Sequence, residues 1–147
     1  MSKVDPMKLK TVFTDGVFDL LHANHVSFLQ EAKTYGDKLV VGVVSDAQAQ
    51  AFKRRPVINQ AERLHVVGAL ACVDEAFIIE APLNGDTMEK VITDYDVDAV
   101  VYSGNSTPDF YRPAEARSIM HRPTYRAGIN SSKIIESVIE RHLAGEL

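Results

Sequence analysis

Two histidines stand three residues apart in a segment that follows the first predicted strand. The segment reads Thr14-Asp15-Gly16-Val17-Phe18-Asp19-Leu20-Leu21-His22-Ala23-Asn24-His25. Gly16 allows the backbone to approach a ligand closely, and His22 and His25 project from the same side of an incipient helix. Imidazoles can donate hydrogen bonds to phosphoryl oxygens, and the amides at a helix N-terminus attract negative charge. The pattern indicates a polyphosphate site; the alternative is that one histidine caps the helix and the other packs.

Two further segments have residue types that bind anions. Lys53-Arg54-Arg55 places three cations on one connection, which could clamp a triphosphate or the phosphate of an acceptor, although such runs are often only solvated. Gly128 precedes a predicted helix with Ser131 and Ser132 in its first turn. The free amides of that turn, together with Arg126, predict a second anion pocket facing the first. The alternative for this segment is an ordinary helix cap.

Metal, dinucleotide and disulfide chemistry fit the sequence less well. A metalloprotease-type site needs a further ligand such as a glutamate between the two histidines, and none is present there. Gly-x-Gly-x-x-Gly does not follow the first strand. Cys72 is the single cysteine of the sequence, so it is expected to pack in the core. The sequence therefore identifies no metal ligands.

The elements that must position these segments alternate between apolar runs and helix-period stretches, which is typical of β-α units around a parallel sheet. Strands are predicted at residues 9–14, 38–45, 77–79, 99–102 and 124–125, with a long loop at 103–113. Helices are predicted at 23–35, 46–52 and 113–121, after Asn59, after Asp86, and after the cap at 130–132, the last with Ile134, Ile135, Val138, Ile139 and Leu143 on its buried side.

We therefore predict a single α/β domain over residues 1–147, Rossmann-like, with about five parallel strands, helices on both faces and a flexible N-terminus at residues 1–8. In such sheets ligands bind beyond the carboxyl ends of the strands, where helix N-termini point outward. This rule directs attention to the three segments described above.

The composition limits the function classes. With 147 residues, 46% hydrophobic and 24% charged, the chain suits one globular domain. Acidic residues outnumber basic ones 20 to 16, so no overall field would hold the protein on nucleic acid or an anionic membrane. The apolar run at residues 39–44 is too short to span a bilayer, and the N-terminus lacks the apolar region of a signal peptide. We expect a cytoplasmic protein whose anion site is built locally.

The segment with the two histidines resembles the signature of the nucleotidyltransferases with a His-x-Gly-His motif, and within them the cytidylyltransferases acting on ethanolamine phosphate, choline phosphate and glycerol 3-phosphate. The resemblance covers residues 10–140. Residues 36–43 are similar to the family's second strand, and Val73-Asp74-Glu75 to the segment near its dimer interface. The ethanolamine-phosphate branch looks closest, through Pro56-Val57, Gln60-x-Glu62-Arg63, Ala81-Pro82-Leu83 and Gly104-Asn105.

Two positions depart from the family pattern. Asn24 stands where the family has glycine between the histidines. In the last loop the family arginine, aligned without a gap, falls on Tyr125, and Arg126 takes the position of a threonine. We expect the Asn24 side chain to narrow the pocket.

The resemblance implies a role for each matching residue. His22 and His25 would stabilise the reacting phosphoryl group, and Lys53 and Arg126 would hold phosphates. For Arg63, an ion pair with Glu62 or Glu31 is an equal alternative to a site role. The implied nucleotide-binding residues are Thr14, Asp15, Gly16, Val17, Phe18, Asn24, Arg63, Gly104, Asn105, Gly128, Ile129, Ser131 and Ser132.

The implied reaction is attack by an acceptor phosphate or phosphonate oxygen on the α-phosphorus of CTP, with Mg²⁺ arriving with the nucleotide and pyrophosphate leaving. The implied partners are CTP and a small phosphate- or phosphonate-bearing acceptor, without nucleic acid or membrane, in a homodimer. Three alternatives stay open. They are an adenylyltransferase of the same fold making FAD, NAD or a coenzyme A precursor, a non-catalytic nucleotide-binding module, and a scaffold that binds no nucleotide.

Overall fold

The computed structural model describes residues 8–104 and 106–147. Its strands are β1 (Thr11–Gly16), β2 (Lys38–Val44), β3 (Glu75–Ile79), β4 (Ala99–Val101) and β5 (Met120–His121). Its helices are α1 (Ala23–Lys33), α2 (Asp46–Phe52), α3 (Gln60–Gly68), α4 (Gly85–Tyr95), α5 (Pro108–Ala116) and α6 (Ser131–Leu143). The predicted flexible N-terminus, apart from Lys8, lies outside the described residues, as does the predicted site residue Asn105.

The five strands form one parallel sheet in the order β3-β2-β1-β4-β5. β1 pairs with β2 on one side and with β4 on the other, so the direction of winding reverses between β1 and β4. The connections that leave these two strands therefore diverge and open a crevice at the carboxyl edge of the sheet. The predicted single α/β fold with a five-stranded parallel sheet is confirmed, and its topology places a crevice beyond the first strand.

Helices cover both faces of the sheet, which explains why β2 is apolar without alternation. On one face Val12 and Val41 pack in a cluster with the inner sides of α1 and α3. On the other face Phe13 and Val40 pack with α4 and α5. All four strand side chains are fully buried. The two clusters hold the carboxyl ends of the strands in a fixed plane, from which the loops of the crevice extend.

The structure corrects two element boundaries near the crevice. α5 begins at Pro108 and includes Pro113, and β5 lies at Met120–His121 rather than at residues 124–125. Burial of Phe110 and Tyr111 against the sheet compensates for the backbone hydrogen bond that Pro113 cannot donate. The loop after β4 is consequently shorter than predicted, and the segment between β5 and α6 is longer.

The predicted burial of the apolar side of α6 is wrong. No residue of this helix is buried, and Leu143 is 81% exposed. Hydrophobic periodicity indicates that a helix has an apolar side but does not identify what covers it. α6 starts at the crevice, where the Ser131 hydroxyl donates to the carbonyl of Asp19 at 2.6 Å. Within the described residues, no helix combines the length and the apolar character needed to span a bilayer.

Arg63 lies beneath the crevice, where its side chain is fully buried and joins several segments. Its Nη1 donates to the carbonyls of Val17 at 2.6 Å and Val44 at 2.9 Å, and its Nε donates to the carbonyl of Ile58 at 2.8 Å. Its Nη2 donates to Oδ1 of Asp46 at 2.7 Å. These contacts tie the loop after β1 to the end of β2, to α2 and to the start of α3.

This environment corrects the sequence-based expectation for Arg63. Its donors are directed to three carbonyls and one carboxylate of the protein, so it supports the crevice and does not line it. The carboxylate is Asp46 and not Glu62 or Glu31. Sequence spacing alone could not reveal this, because Asp46 lies on another helix.

We expect Arg63→Met to lower the free energy of unfolding by about 3–5 kcal/mol, because it leaves three carbonyls and a carboxylate without their donor. Urea unfolding followed by circular dichroism measures the loss. Arg117→Met is the matched control, since Arg117 pairs with Glu89 at the surface and its replacement should lower the free energy of unfolding far less. Equal losses in the two variants would contradict a supporting role for Arg63.

Candidate active site

A cleft of about 700 Å³ opens at the carboxyl edge of the sheet. It is lined by the loop after β1, the start of α1, the end of α2, the loop after β4 and the segment between β5 and α6. The predicted site residues that line it are Asp15, Phe18, His22, Asn24, His25, Lys53, Gly104, Arg126, Ile129, Ser131 and Ser132. Thr14, Gly16, Val17, Arg63 and Gly128 do not line it.

His22 and His25 stack against each other on one wall of the cleft, with ring centroids 3.7 Å apart. His22 is the N-cap of α1, and its Nδ1 accepts a hydrogen bond from the amide of His25 at 3.4 Å. Nδ1 of His25 in turn accepts from the amide of His22 at 3.3 Å. The two histidines therefore form a reciprocal cap and also line the cleft, so the capping and the site interpretations of this pair are both compatible with the structure.

The capping hydrogen bonds decide which ring nitrogen carries the proton. Because both Nδ1 atoms accept, the proton of each neutral ring resides on Nε2, which has no partner among the described residues. Burial lowers the pKa of His22, and burial together with His22 lowers the pKa of His25 to about 4. At neutral pH the pair therefore offers two uncharged N–H donors to a ligand in the cleft.

The loop between β1 and α1 is strained and is held from outside. Phe18 and Leu20 have φ angles of 55° and 51°, in the left-handed region that side chains of this size rarely adopt. The buried carboxylate of Asp19 accepts hydrogen bonds from the backbone amides of Val57 at 2.8 Å and Ile58 at 3.0 Å. With the Ser131 hydrogen bond to the Asp19 carbonyl, these contacts fix the loop in front of the histidines.

Gly16 acts on the same loop by leaving room for an aromatic ring. A Cβ at this position would lie 2.7 Å from the ring of Phe18. That ring in turn contacts the edge of the His25 imidazole, with centroids 5.5 Å apart. The predicted glycine is therefore required by side-chain packing rather than by a direct approach of backbone to ligand.

Asp15 is fully buried at the floor of the cleft, where three hydroxyl groups donate to its carboxylate. The Tyr111 hydroxyl lies 2.6 Å from Oδ1, the Ser103 hydroxyl lies 3.3 Å from the same atom, and the Ser106 hydroxyl donates to Oδ2. Burial raises the pKa of Asp15, and the hydroxyl hydrogen bonds oppose that shift. The network joins the end of β1 to the loop after β4 and leaves the carboxylate occupied by protein donors.

The basic residues around the cleft differ in whether the protein already engages them. Arg126 donates to Glu31 at 2.9 Å, and Arg54 donates to the Ser132 hydroxyl at 3.3 Å. Although burial opposes it, hydrogen bonds from Thr124 and Arg126 keep the pKa of Glu31 below its usual value, so this pair is ionised. Lys53 is exposed, and no described residue forms an ion pair with it. Lys53 is therefore available to an anionic ligand.

Asn24 and Arg126 account for the two departures from the family pattern. The side-chain amide of Asn24 donates to the carbonyls of Ala127 at 3.1 Å and Ile129 at 2.9 Å, so it fastens the segment before α6 to α1. Arg126 lines the cleft despite its shifted position in the sequence. Tyr125 also lines the cleft and is 89% exposed.

Sequence reasoning missed three residues that shape the cleft. Asp19 and Glu31 act through backbone amides and an arginine that are distant in sequence, and no local pattern marks such contacts. Arg122 lines the cleft directly after β5, with its guanidinium carbon 4.6 Å from the ring centroid of Tyr102. Placing the last strand at residues 124–125 concealed it; the apolar pair Ile119-Met120, just upstream of His121, was the available signal.

A divalent cation would find few protein ligands here. The described residues contain no cluster of three or more histidine, cysteine, aspartate or glutamate side chains with metal-binding geometry. The Asp15 carboxylate already accepts three hydroxyl hydrogen bonds. The described residues therefore identify no ligand set for a magnesium ion in this cleft.

Comparison with known proteins gives matches over most of the chain. A family described as cytidylyltransferase-like matches residues 13–137. The "Bifunctional protein HldE" of Geobacter metallireducens is 44% identical over 102 residues, which is 68% of this chain and 20% of that protein. The protein of the same name from Pelobacter propionicus is 37% identical over 139 residues, which is 90% of this chain and 28% of that protein. The chain thus spans less than a third of these relatives.

A solved structure matches the fold. The crystal structure of the lipopolysaccharide core biosynthesis protein from Thermoplasma volcanium superposes with a TM-score of 0.67 and 25% identity. The match covers 82% of this chain and all of that chain. The fold of this chain is therefore shared with that protein over its whole length.

His25→Gln should reduce the loss of stability at acid pH. Because the pKa of His25 in the folded protein is about 4 and that of a free histidine is 6.5, the unfolded chain takes up a proton in this interval that the folded protein does not. The stability that depends on the neutral ring is present above pH 6.5 and is lost as the pH falls toward 4. Urea midpoints measured between pH 7 and pH 4.5 should fall less for His25→Gln than for the wild type.

The control for this experiment is His65→Gln, which changes an exposed histidine on α3 outside the cleft. It should follow the pH dependence of the wild type. If His25→Gln and His65→Gln show the same slope, the buried imidazole does not contribute to acid sensitivity.

Proposed function

This chain belongs to the cytidylyltransferase-like family, and we propose that it transfers CMP from CTP to an acceptor and releases pyrophosphate. In this proposal the CTP is magnesium-bound and the acceptor is a small phosphomonoester or phosphonate. The resemblance to the nucleotidyltransferases is confirmed by the family match. The particular branch, acting on ethanolamine phosphate or glycerol 3-phosphate, stays a prediction.

The observation that supports the proposal is that the N-termini of two helices, α1 and α6, lie at the same cleft. The stacked imidazoles at the start of α1 and the first turn of α6, with Ser131 and the hydroxyl of Ser132, line the same cleft of about 700 Å³. Each helix start contributes backbone amides and the positive end of a helix dipole. Lys53 adds a full positive charge at the edge. Such a set of donors suits a triphosphate held between two walls.

The residues of the cleft can promote transfer without a covalent intermediate. An oxygen of the acceptor phosphate, already ionised at neutral pH, forms a bond to the α-phosphorus as the bond to the β-phosphate oxygen breaks. In this proposal the Nε2–H groups of His22 and His25 donate hydrogen bonds to the α-phosphoryl oxygens, and Lys53 offsets the negative charge on the leaving pyrophosphate. Because both imidazoles are neutral, they stabilise the transition state as hydrogen-bond donors and not as acids.

The nucleotide and the acceptor are the specific parts of the proposal. The family description supports cytidylyl transfer, and adenylyl transfer within the same fold is the rival. The solved relative is named for lipopolysaccharide core biosynthesis, and because that core is built from sugars, sugar phosphates belong among the acceptors to be tested. The homodimer and the cytoplasmic location also stay predictions.

A panel of the four nucleoside triphosphates with Mg²⁺ tests the reaction. We expect pyrophosphate release with CTP in the presence of glycerol 3-phosphate, ethanolamine phosphate, a small phosphonate or a hexose 1-phosphate. Pyrophosphate release with ATP and an acceptor, but not with CTP, would replace the proposed cytidylyl transfer by adenylyl transfer. Thermal stabilisation by a nucleotide without pyrophosphate release from any pair would indicate a binding module instead.

We expect His25→Ala to lower kcat by about 10²- to 10³-fold, the usual cost of removing one donor to transition-state charge. Steady-state pyrophosphate release measures the loss, and circular dichroism checks that the variant is folded. His65→Ala, outside the cleft, should retain wild-type turnover. Unchanged turnover in folded His25→Ala would remove the imidazole from the mechanism.

A further inference from the structure

Arg122 presents to the cleft a guanidinium group that has no role in the proposed nucleotidyl transfer. It follows β5 directly, and its guanidinium carbon lies 4.6 Å from the centre of the Tyr102 ring. No described residue supplies an ion pair or a hydrogen bond to this group. Stacking on an aromatic face occupies the plane of a guanidinium but leaves its N–H edges able to meet an anion.

The platform beneath Arg122 is rigid. The Tyr102 amide donates to the carbonyl of His121 at 2.8 Å, which keeps the ends of β4 and β5 in register. The Tyr102 ring packs edge-on against Tyr111, with centroids 4.9 Å apart, and the Tyr111 hydroxyl is bound to the buried Asp15. His121 is itself stacked on Tyr35 at 4.4 Å. Arg122 therefore projects from a fixed base and not from a mobile loop.

The charges of the cleft are unequally balanced. Among the described residues that line it, Asp15 is the one acidic side chain, and its carboxylate is buried under three hydroxyl donors. Arg126 is neutralised by Glu31. Lys53 follows α2 and Arg122 follows β5, and neither has an anionic partner among the described residues. The positive charge of the lining residues thus exceeds the negative charge that offsets it, and no free carboxylate is available in the cleft to pair with an ammonium group.

We propose that Arg122, stacked on Tyr102, is a specificity residue that selects acceptors whose portion beyond the phosphate or phosphonate is neutral or acidic and rejects acceptors that carry an ammonium group. Because Arg122 lines the same cleft as His22 and His25, an acceptor seated beside the α-phosphorus shares that space with its guanidinium group. There a second positive charge meets Arg122 without compensation, whereas a hydroxyl or a carboxylate accepts from its N–H groups. This inference rests on the proposed nucleotidyl transfer and adds the class of acceptor.

The test compares two acceptors of similar size that differ in charge, glycerol 3-phosphate and ethanolamine phosphate, with 3-phosphoglycerate as an acidic third. We expect kcat/KM for the wild type to favour glycerol 3-phosphate and 3-phosphoglycerate over ethanolamine phosphate by about tenfold or more. Arg122→Gln should raise KM for the two favoured acceptors and leave KM for the nucleotide unchanged. Arg122→Glu should shift the preference toward ethanolamine phosphate.

Arg112→Gln is the matched control, because Arg112 is exposed, pairs with Asp109 and does not line the cleft. It should keep the wild-type preference. Equal use of the charged and neutral acceptors by the wild type, or a preference that Arg122→Glu leaves unchanged, would overturn the inference without affecting the transfer reaction itself.

Direct binding separates the two proposals. Calorimetric titration of wild type and Arg122→Gln with 3-phosphoglycerate and with ethanolamine phosphate requires no turnover. Weaker binding of 3-phosphoglycerate to the variant, with no such change for ethanolamine phosphate, supports Arg122 even if no nucleotide is consumed. Identical affinities in both proteins reject it, whereas absence of pyrophosphate release with every nucleotide and acceptor rejects only the transfer reaction.

Discussion

The carboxylate of Asp19 holds the geometry on which the cleft depends. Two residues beside it, Phe18 and Leu20, have left-handed backbone angles that cost about 1–3 kcal/mol each. The hydrogen bonds that Asp19 accepts from the amides of Val57 and Ile58 compensate for this strain. Arg63 binds the same loop through the Val17 carbonyl. Without these contacts from distant segments the loop would relax, and the histidines would lose their common orientation.

The cleft is built from dipoles more than from charges, which suits an anionic ligand even in a chain of negative net charge. Burial keeps the imidazoles neutral, and their mutual caps leave Nε2–H as the donor of each ring. The starts of α1 and α6 supply amides that need no counter-charge. Among the described residues that line the cleft, Lys53 and Arg122 contribute positive charge that no carboxylate offsets. The net charge of −4 therefore says little about the local field in the cleft.

Sequence patterns predicted the parts of the structure that local physics determines. The apolar run of β2, the Asn59 cap of α3 and the two-histidine segment at the start of α1 each depend on neighbours within a few residues, and each lies close to its predicted position. Contacts between distant segments were not predictable. The Asp46 partner of Arg63 and the short β5 follow from how the layers pack, and the exposed side of α6 depends on what lies against it.

The cleft combines one fixed wall with two available cations. Three hydrogen bonds, made by Asn24 and by Thr124 with Glu31, and an ion pair between Arg126 and Glu31 connect the segment before α6 to α1. A glycine at position 24 could not form these side-chain hydrogen bonds, so Asn24 is what fixes the segment before α6 against α1 at this point. A preformed wall reduces the ordering that a ligand must impose on binding. Lys53 and Arg122, which line the same cleft as the histidines, are then the cations that can respond to the identity of a ligand.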